Sequence, residues 1–297
     1  MSPARRLLLV HAHPDDETLT TGGSIARYTA EPNCEVTVVT CTLGEEGEVI
    51  PPEFAELAPD RGDQLGGYRI RELDAALGAL GGPEHRYLGG AGRWRDTGMV
   101  LAGHGTRAAL PPQLHPRAFA APEVFGTQLA QLLDIVDEIR PQVLVSYAAD
   151  GSYGHPDHVR AHELTAAAAA ARPDVVAKLY FAVRSTEVLE VGLTELLAAC
   201  DGAPERTGLR WPEPDEHPGH DDASITTRID VTAYDDARIA AMRAHATQID
   251  VRTGPGWAAY AMSNGIAQPL LGVEEFVLHG ADPAGTAETD LFDGVDA

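Results

Sequence analysis

The chain opens on a short apolar run, Leu7 to Val10, that ends in a polar turn, and a second run, Val36 to Cys41, is β-branched and closes on Gly44. Runs of this length without polar alternation fit strands buried on both faces, as in a parallel sheet. Between them, Gly23 to Ala30 leaves room for only a short helix, whereas Leu65, Tyr68, Leu73, Leu77 and Leu80 share one stripe of a helix over 64–80. The pattern then repeats. Tyr87 and Leu88 form the end of a short strand, a long loop follows, and Leu129, Leu132, Leu133, Val136 and Ile139 line a helix over 124–139. Pro141 separates that helix from a strand over 143–147. A helix over 158–171, an apolar strand over 175–183 and a helix over 186–200 come next. Residues 201–222, rich in Pro, Gly, Asp and His, read as a loop; Ile225, Thr227, Ile229 and Val231 alternate as a strand with one wet face, and 234–247 reads as a helix.

Alternating strands and helices predict an α/β fold: a Rossmann-like, mostly parallel sheet with helices on both faces. The expected division is a catalytic core over 1–183, a smaller C-terminal part over 184–280 that completes the core and the substrate pocket, and an acidic, small-residue tail over 281–297 without fixed structure. In such sheets ligands bind beyond the carboxyl ends of the strands. A site should therefore form from residues following Val10, Cys41, Leu88 and Tyr147.

Charge narrows the partners. The 297 residues carry 22 Lys plus Arg against 45 Asp plus Glu, a formal net charge of -23. Nucleic acid and anionic membrane surfaces are bound through clustered cations, and the sequence supplies no such cluster. Three cysteines, Cys34, Cys41 and Cys200, form no CxxC pair and fit a reducing cytoplasm better than a disulfide framework. The first apolar run, broken by His11 and His13, is too short for a secretory or membrane-spanning segment, so a cytoplasmic protein is expected.

Two clusters fall where the sheet rule asks for them. His11-Ala12-His13-Pro14-Asp15-Asp16-Glu17 follows the first strand, and Tyr153-Gly154-His155-Pro156-Asp157-His158 follows the strand ending at Tyr147. Imidazole with carboxylate suits Zn(II) or Fe(II), and three protein ligands with one position left for water is the pattern of a hydrolytic site. In a turn entering a helix, His13 and Asp16, three residues apart, can converge on one ion while Asp15 stays free to act as a base. On spacing alone either His155 or His158 supplies the third ligand. A plainer reading makes Asp15 or Asp16 a helix N-cap and the rest polar turn residues; two such clusters after two strands weigh against it. Gly22-Gly23 lacks the spacing of a phosphate cradle, and His217 and His220 read as exposed loop residues. Arg93, Trp94, Arg95 and Asp96, on a glycine-rich loop after a strand, are candidates for sugar recognition, and His245 and Gln248 either reach the site or pack.

With these motifs the chain resembles the zinc-dependent de-N-acetylases of the LmbE-like, PIG-L superfamily, and CTLGEEGEV (41–49), DQLGGYRIRELDAAL (63–77), YLGGAGRWRDTGM (87–99) and AHATQ (244–248) are similar to its mycothiol-biosynthetic branch, which deacetylates N-acetylglucosaminyl-inositol. The resemblance spans most of 5–280 and thins over 100–120 and 185–222. It implies one Zn(II), or Fe(II), held by His13, Asp16 and His158, with Asp15 as general base. It further implies a cationic His155 facing the oxyanion, Asp157 orienting it, Tyr153 as a mobile contact to the intermediate, and Glu48, Arg69 and Asp96 on the sugar and inositol hydroxyls. The stretch 148–152 departs from the family pattern. The implied partner is a small amino-sugar inositol, with no nucleic acid and no membrane. Two alternatives stand beside this: the related amidase acting on mycothiol S-conjugates, and a non-catalytic Rossmann-like sugar-binding module.

Overall fold

Strand β1 (Arg5–His11) is covered on both sides, which explains its unbroken apolar run: Leu7 and Leu9 point into one core, Leu8 and Val10 into the other. In this computed structural model, which describes residues 4–102, 107–213, 216 and 219–295, β1 is followed by α1 (Asp16–Thr29), β2 (Cys34–Thr40), α2 (Leu65–Ala79) and β3 (Glu84–Tyr87). A hairpin of β4 (Val100–Ala102) and β5 (Arg107–Ala109) interrupts the expected long loop. Then come α3 (Phe125–Ile139), β6 (Val143–Tyr147), α4 (Pro156–Ala171), β7 (Lys178–Val183) and α5 (Thr186–Ala199). The chain finishes with β8 (Thr227–Asp230), α6 (Asp235–Ala244), β9 (Asp250–Gly254), β10 (Trp257–Ala261), β11 (Gln268–Pro269) and β12 (Val273–Leu278).

The main sheet has seven strands in the order β3-β2-β1-β6-β7-β12-β8. The first five in that order are parallel, and β12 runs antiparallel to both neighbours. Ile25, Leu73, Leu77 and Ala241 of α1, α2 and α6 cover one face, and Leu132, Val136, Ala161 and Leu164 of α3 and α4 the other. The α/β layering is as the sequence predicts. The chain steps outward from β1 through β2 to β3, then returns to lay β6 on the other side of β1, so the topological switch lies between β1 and β6. That crevice is where ligands bind in open α/β sheets, and both His/Asp motifs leave the sheet there.

Three expectations are corrected. Helix α1 begins at Asp16 rather than near Gly23, which lies mid-helix where a Cβ would collide with Val231. Helix α6 stops at Ala244, three residues before the expected end, because residues 245–248 turn inward. The terminal segment is not free chain: Leu291 and Phe292 are buried against Tyr28, whose hydroxyl donates to Asp290 (2.9 Å) and accepts from Leu291 N (2.7 Å). Two large apolar side chains give that acidic stretch enough burial to order it. The three-stranded sheet β11-β10-β9 is also absent from the sequence reading. Among the described residues no helix is long and apolar enough to cross a membrane. His217 lies outside the described residues.

Candidate active site

His13 and Asp15 sit in the turn between β1 and α1, Asp16 opens α1, His155 is the N-cap of α4 and His158 lies in that helix's first turn. Pro156 at the first helical position presets the backbone there. Asp16 is the hub. Its Oδ2 accepts from His13 N (2.9 Å) and lies 3.1 Å from His13 Nδ1 and 3.3 Å from His158 Nε2. Neither ring nitrogen of His158 makes a hydrogen bond, although the side chain is buried. Buried polar atoms without partners call for an explanation, an ion among them. Tetrahedral zinc with bonds of about 2.0–2.1 Å spaces its ligand atoms by about 3.3 Å, and each of these two imidazole nitrogens stands at about that distance from the Asp16 oxygen.

Two overlapping groups offer donor atoms within 4.8 Å of one another: His13, His155 and His158, and His13, Asp96 and Asp157. Hydrogen bonding separates their parts. His13 Nε2 is turned to Asp157 Oδ2 (3.2 Å) and Asp96 Oδ1 (3.5 Å), leaving Nδ1 beside Asp16, the carboxylate-imidazole backing common behind metal ligands. His155 Nδ1 accepts from the backbone N–H of Asp157 (3.2 Å), which puts the proton of a neutral ring on Nε2. Burial, with His13 and His158 nearby, pushes the His155 pKa down to about 2. Burial and the backbone N–H of Asp157 both favour the neutral form of this ring, whereas the carboxylate of Asp157 faces His13. Asp16 is held well below the usual carboxylate range because His158 and His13 outweigh the cost of burial.

Asp15 is not a side-chain helix cap. Its carboxylate makes no capping hydrogen bond, and its backbone has φ of 114°, a conformation non-glycine residues hold only when their surroundings enforce it. Oδ1 lies 3.1 Å from Arg69 Nη2. Burial raises the Asp15 pKa to about 6, against the pull of Arg69 in the opposite direction and with the help of Asp16. A carboxyl poised there is a competent proton acceptor at neutral pH.

The remaining expected residues divide. Arg69 is buried and also donates to Gly44 O (2.8 Å) and Pro14 O, so its guanidinium serves the loops around Asp15 rather than opening to solvent. Asp96 is buried, accepts from Glu46 N (3.2 Å) and Gly98 N (2.8 Å), and faces His13. Glu48 is exposed, while Glu45 turns inward to accept from Asp96 N (2.9 Å). Tyr153, 38% exposed, stands at the mouth with its ring 5.9 Å from that of His155 and 5.4 Å from that of His158. Trp94 is buried and donates to Gln131 (2.9 Å), and Arg95 is tied to Glu46 and Asp63 (2.7 Å each), so both build the loop.

One residue escaped the sequence reading. Tyr147, the last residue of β6, stacks on His158 (centroids 4.2 Å apart, planes 12° apart) and its hydroxyl accepts from Ala12 N (2.8 Å). It fixes a ring of one motif to the backbone of the other. An aromatic at a strand end carries no sequence mark of this task.

Residues 8–169 match the protein family described as PIG-L, GlcNAc-PI de-N-acetylase, and the chain belongs to that family. It is 55% identical over 291 residues, covering 98% of this chain and 97% of the relative, to the 1D-myo-inositol 2-acetamido-2-deoxy-alpha-D-glucopyranoside deacetylase of Actinosynnema mirum. It is 53% identical to the enzyme so named, deacetylase 1, of Saccharopolyspora erythraea (98% and 94% covered) and 51% to that of Saccharomonospora viridis (97% and 100% covered).

Proposed function

We propose that this protein hydrolyses the N-acetyl group of 1D-myo-inositol 2-acetamido-2-deoxy-alpha-D-glucopyranoside, giving the free amine and acetate in mycothiol biosynthesis. The observation that carries the reading is identity above 50% over nearly the whole length of relatives named for that reaction, in a chain whose two motifs meet at the sheet's switch point. His13, Asp16 and His158 would hold one Zn(II), or Fe(II) in its place. Such an ion supplies Lewis acidity and lowers the pKa of water to about 7.

The chain's own residues do the rest. Asp15 Oδ removes the proton of the attacking water and returns it to the departing amine, because an amide nitrogen leaves only when protonated. His155, neutral and protonated on Nε2, donates to the carbonyl oxygen as negative charge gathers there, with Tyr153 beside it at the mouth; one such donor is commonly worth about 2.7–4 kcal/mol. Asp157 and Asp96 fix His13, and Tyr147 fixes His158. Glu48, exposed near the entrance, and the loop carrying Asp96 would meet the sugar and inositol hydroxyls.

Acetate release from the zinc-loaded enzyme tests the reading. Turnover of the N-acetylglucosaminyl-inositol should exceed that of a mycothiol S-conjugate, and Asp15→Asn should remove roughly 10²–10⁴ of the rate while zinc stays bound. Preference for the conjugate would make it the amidase, and zinc binding without turnover a binding module.

A further inference from the structure

A turn 228 residues beyond Glu17 of the first motif packs back against it. Directly after α6, His245 is wholly buried and its Nε2 lies 2.9 Å from Glu17 Oε1, while Glu17 Oε2 accepts the backbone N–H of Asp15 (2.9 Å). Glu17 is itself wholly buried, and its third donor is Thr18 Oγ1 (2.5 Å). Two residues on, Thr247 donates from N and Oγ1 to the two oxygens of Glu72 (2.8 and 2.7 Å), on the helix that carries Arg69, and its carbonyl accepts from Ile50 N (2.9 Å). Gln248 packs on the loop of the glutamates, where a Cβ on Gly47 would collide with its Oε1. One four-residue turn thus grips the three segments that hold Asp15, Arg69 and Glu48.

The grip on Asp15 has a specific form. With φ of 114° at Asp15, its N–H donates to the side chain of Glu17, in the first turn of the helix it precedes. A buried carboxylate holds that place only if its other oxygen is also partnered. Thr18 Oγ1 and His245 Nε2 both partner that oxygen, Thr18 from the adjoining residue and His245 from the far end of the chain.

Resting on the deacetylase reading, we infer that His245 is a positioning residue: through Glu17 it holds the backbone of Asp15 in its strained conformation and so aims the base at the water. Its ring nitrogen is engaged with Glu17 and not with His13, Asp16 or His158, so its loss should affect the chemical step and leave substrate affinity and metal binding alone.

The test uses zinc-loaded full-length enzyme, acetate release, zinc content, and hydrogen exchange of the Asp15 amide. His245→Ala should lower kcat at least tenfold with KM within twofold and zinc unchanged, and should speed exchange at Asp15 at least tenfold. His245→Gln, whose amide can reach Glu17 Oε1, should restore both. If His245→Ala does not fold, His245→Asn, too short to reach Glu17, takes its place with the same expectations. Unchanged exchange at Asp15, kcat within twofold, a loss confined to KM or to zinc content, or failure of Gln to rescue overturns the inference. If the native enzyme releases no acetate, the deacetylase reading fails, and exchange at Asp15 alone decides whether His245 holds it.

Discussion

Arg69 Nη2 lies 3.1 Å from Asp15 Oδ1, and the same guanidinium reaches Gly44 O and Pro14 O, so one buried cation joins Asp15, the proposed base, to the two loops that flank it. Arg69 opposes the effect of burial on Asp15, whose pKa is nonetheless raised to about 6. The base works ionised, so kcat/KM falls as pH drops through its pKa, and a bound cation can only lower that value. The acid limb of native enzyme should therefore lie at or below pH 6. Removing Arg69 removes a lowering influence, so Arg69→Met should move the limb upward and cut activity most at the acid end. A pH profile with an unmoved limb would refute the coupling.

Asp157 Oδ2, 3.2 Å from His13 Nε2, also accepts from Thr97 N (2.9 Å), which ties the ring proposed to bind the metal to the loop after β3. Carboxylates behind a metal-binding imidazole typically contribute 10–100-fold in affinity. Asp157→Asn should weaken zinc retention by roughly that factor, measured by competition with a chelator, with the fold intact by circular dichroism.

Gly44 is left-handed (φ 64°), and a Cβ there would meet Arg69 Nη1. Gly44→Ala should cost about 1–3 kcal/mol through the backbone conformation alone and displace the guanidinium as well. Thermal melting reads the first and kcat the second; an alanine variant as active as the native enzyme would show that Arg69 need not hold its place.

Leu291 is fully buried beside Tyr28 and Phe292. Leu291→Ala should lower stability by about 2–5 kcal/mol, as buried leucines do, with KM unchanged because the contact is remote from the motifs. A melting temperature equal to the native one would restore the view of the tail as free chain.

The strands the sequence disclosed are those buried on both faces: β1, β2, β6 and β7 carry runs dominated by apolar and β-branched residues, with no strong alternation to break them. Strand β12 hid because two of its six residues are acidic. Glu274 and Glu275 are nonetheless buried, one accepting from Gly23 N and Ser24 N (2.7 and 2.8 Å), the other from Ser185 N (2.6 Å) and Arg228. Polarity in a strand reads as solvent exposure unless its partners, here 47 to 251 residues away, are known. The same limit applies to the site. Residue types and spacing named the cluster, but the protonation of His155 depends on one backbone N–H, and the burial of Arg69 on loops that meet only in three dimensions.

The placing of β12 between β7 and β8 has a consequence for the order of synthesis. As the chain emerges, the five parallel strands and both motifs are available first, whereas β8, once made, has no neighbour in the sheet until residues 273–278 arrive. Until then β7 is an open edge of the kind that recruits foreign strands. A nascent chain paused in the 230–272 interval would hold a nearly complete sheet with one side still unsealed.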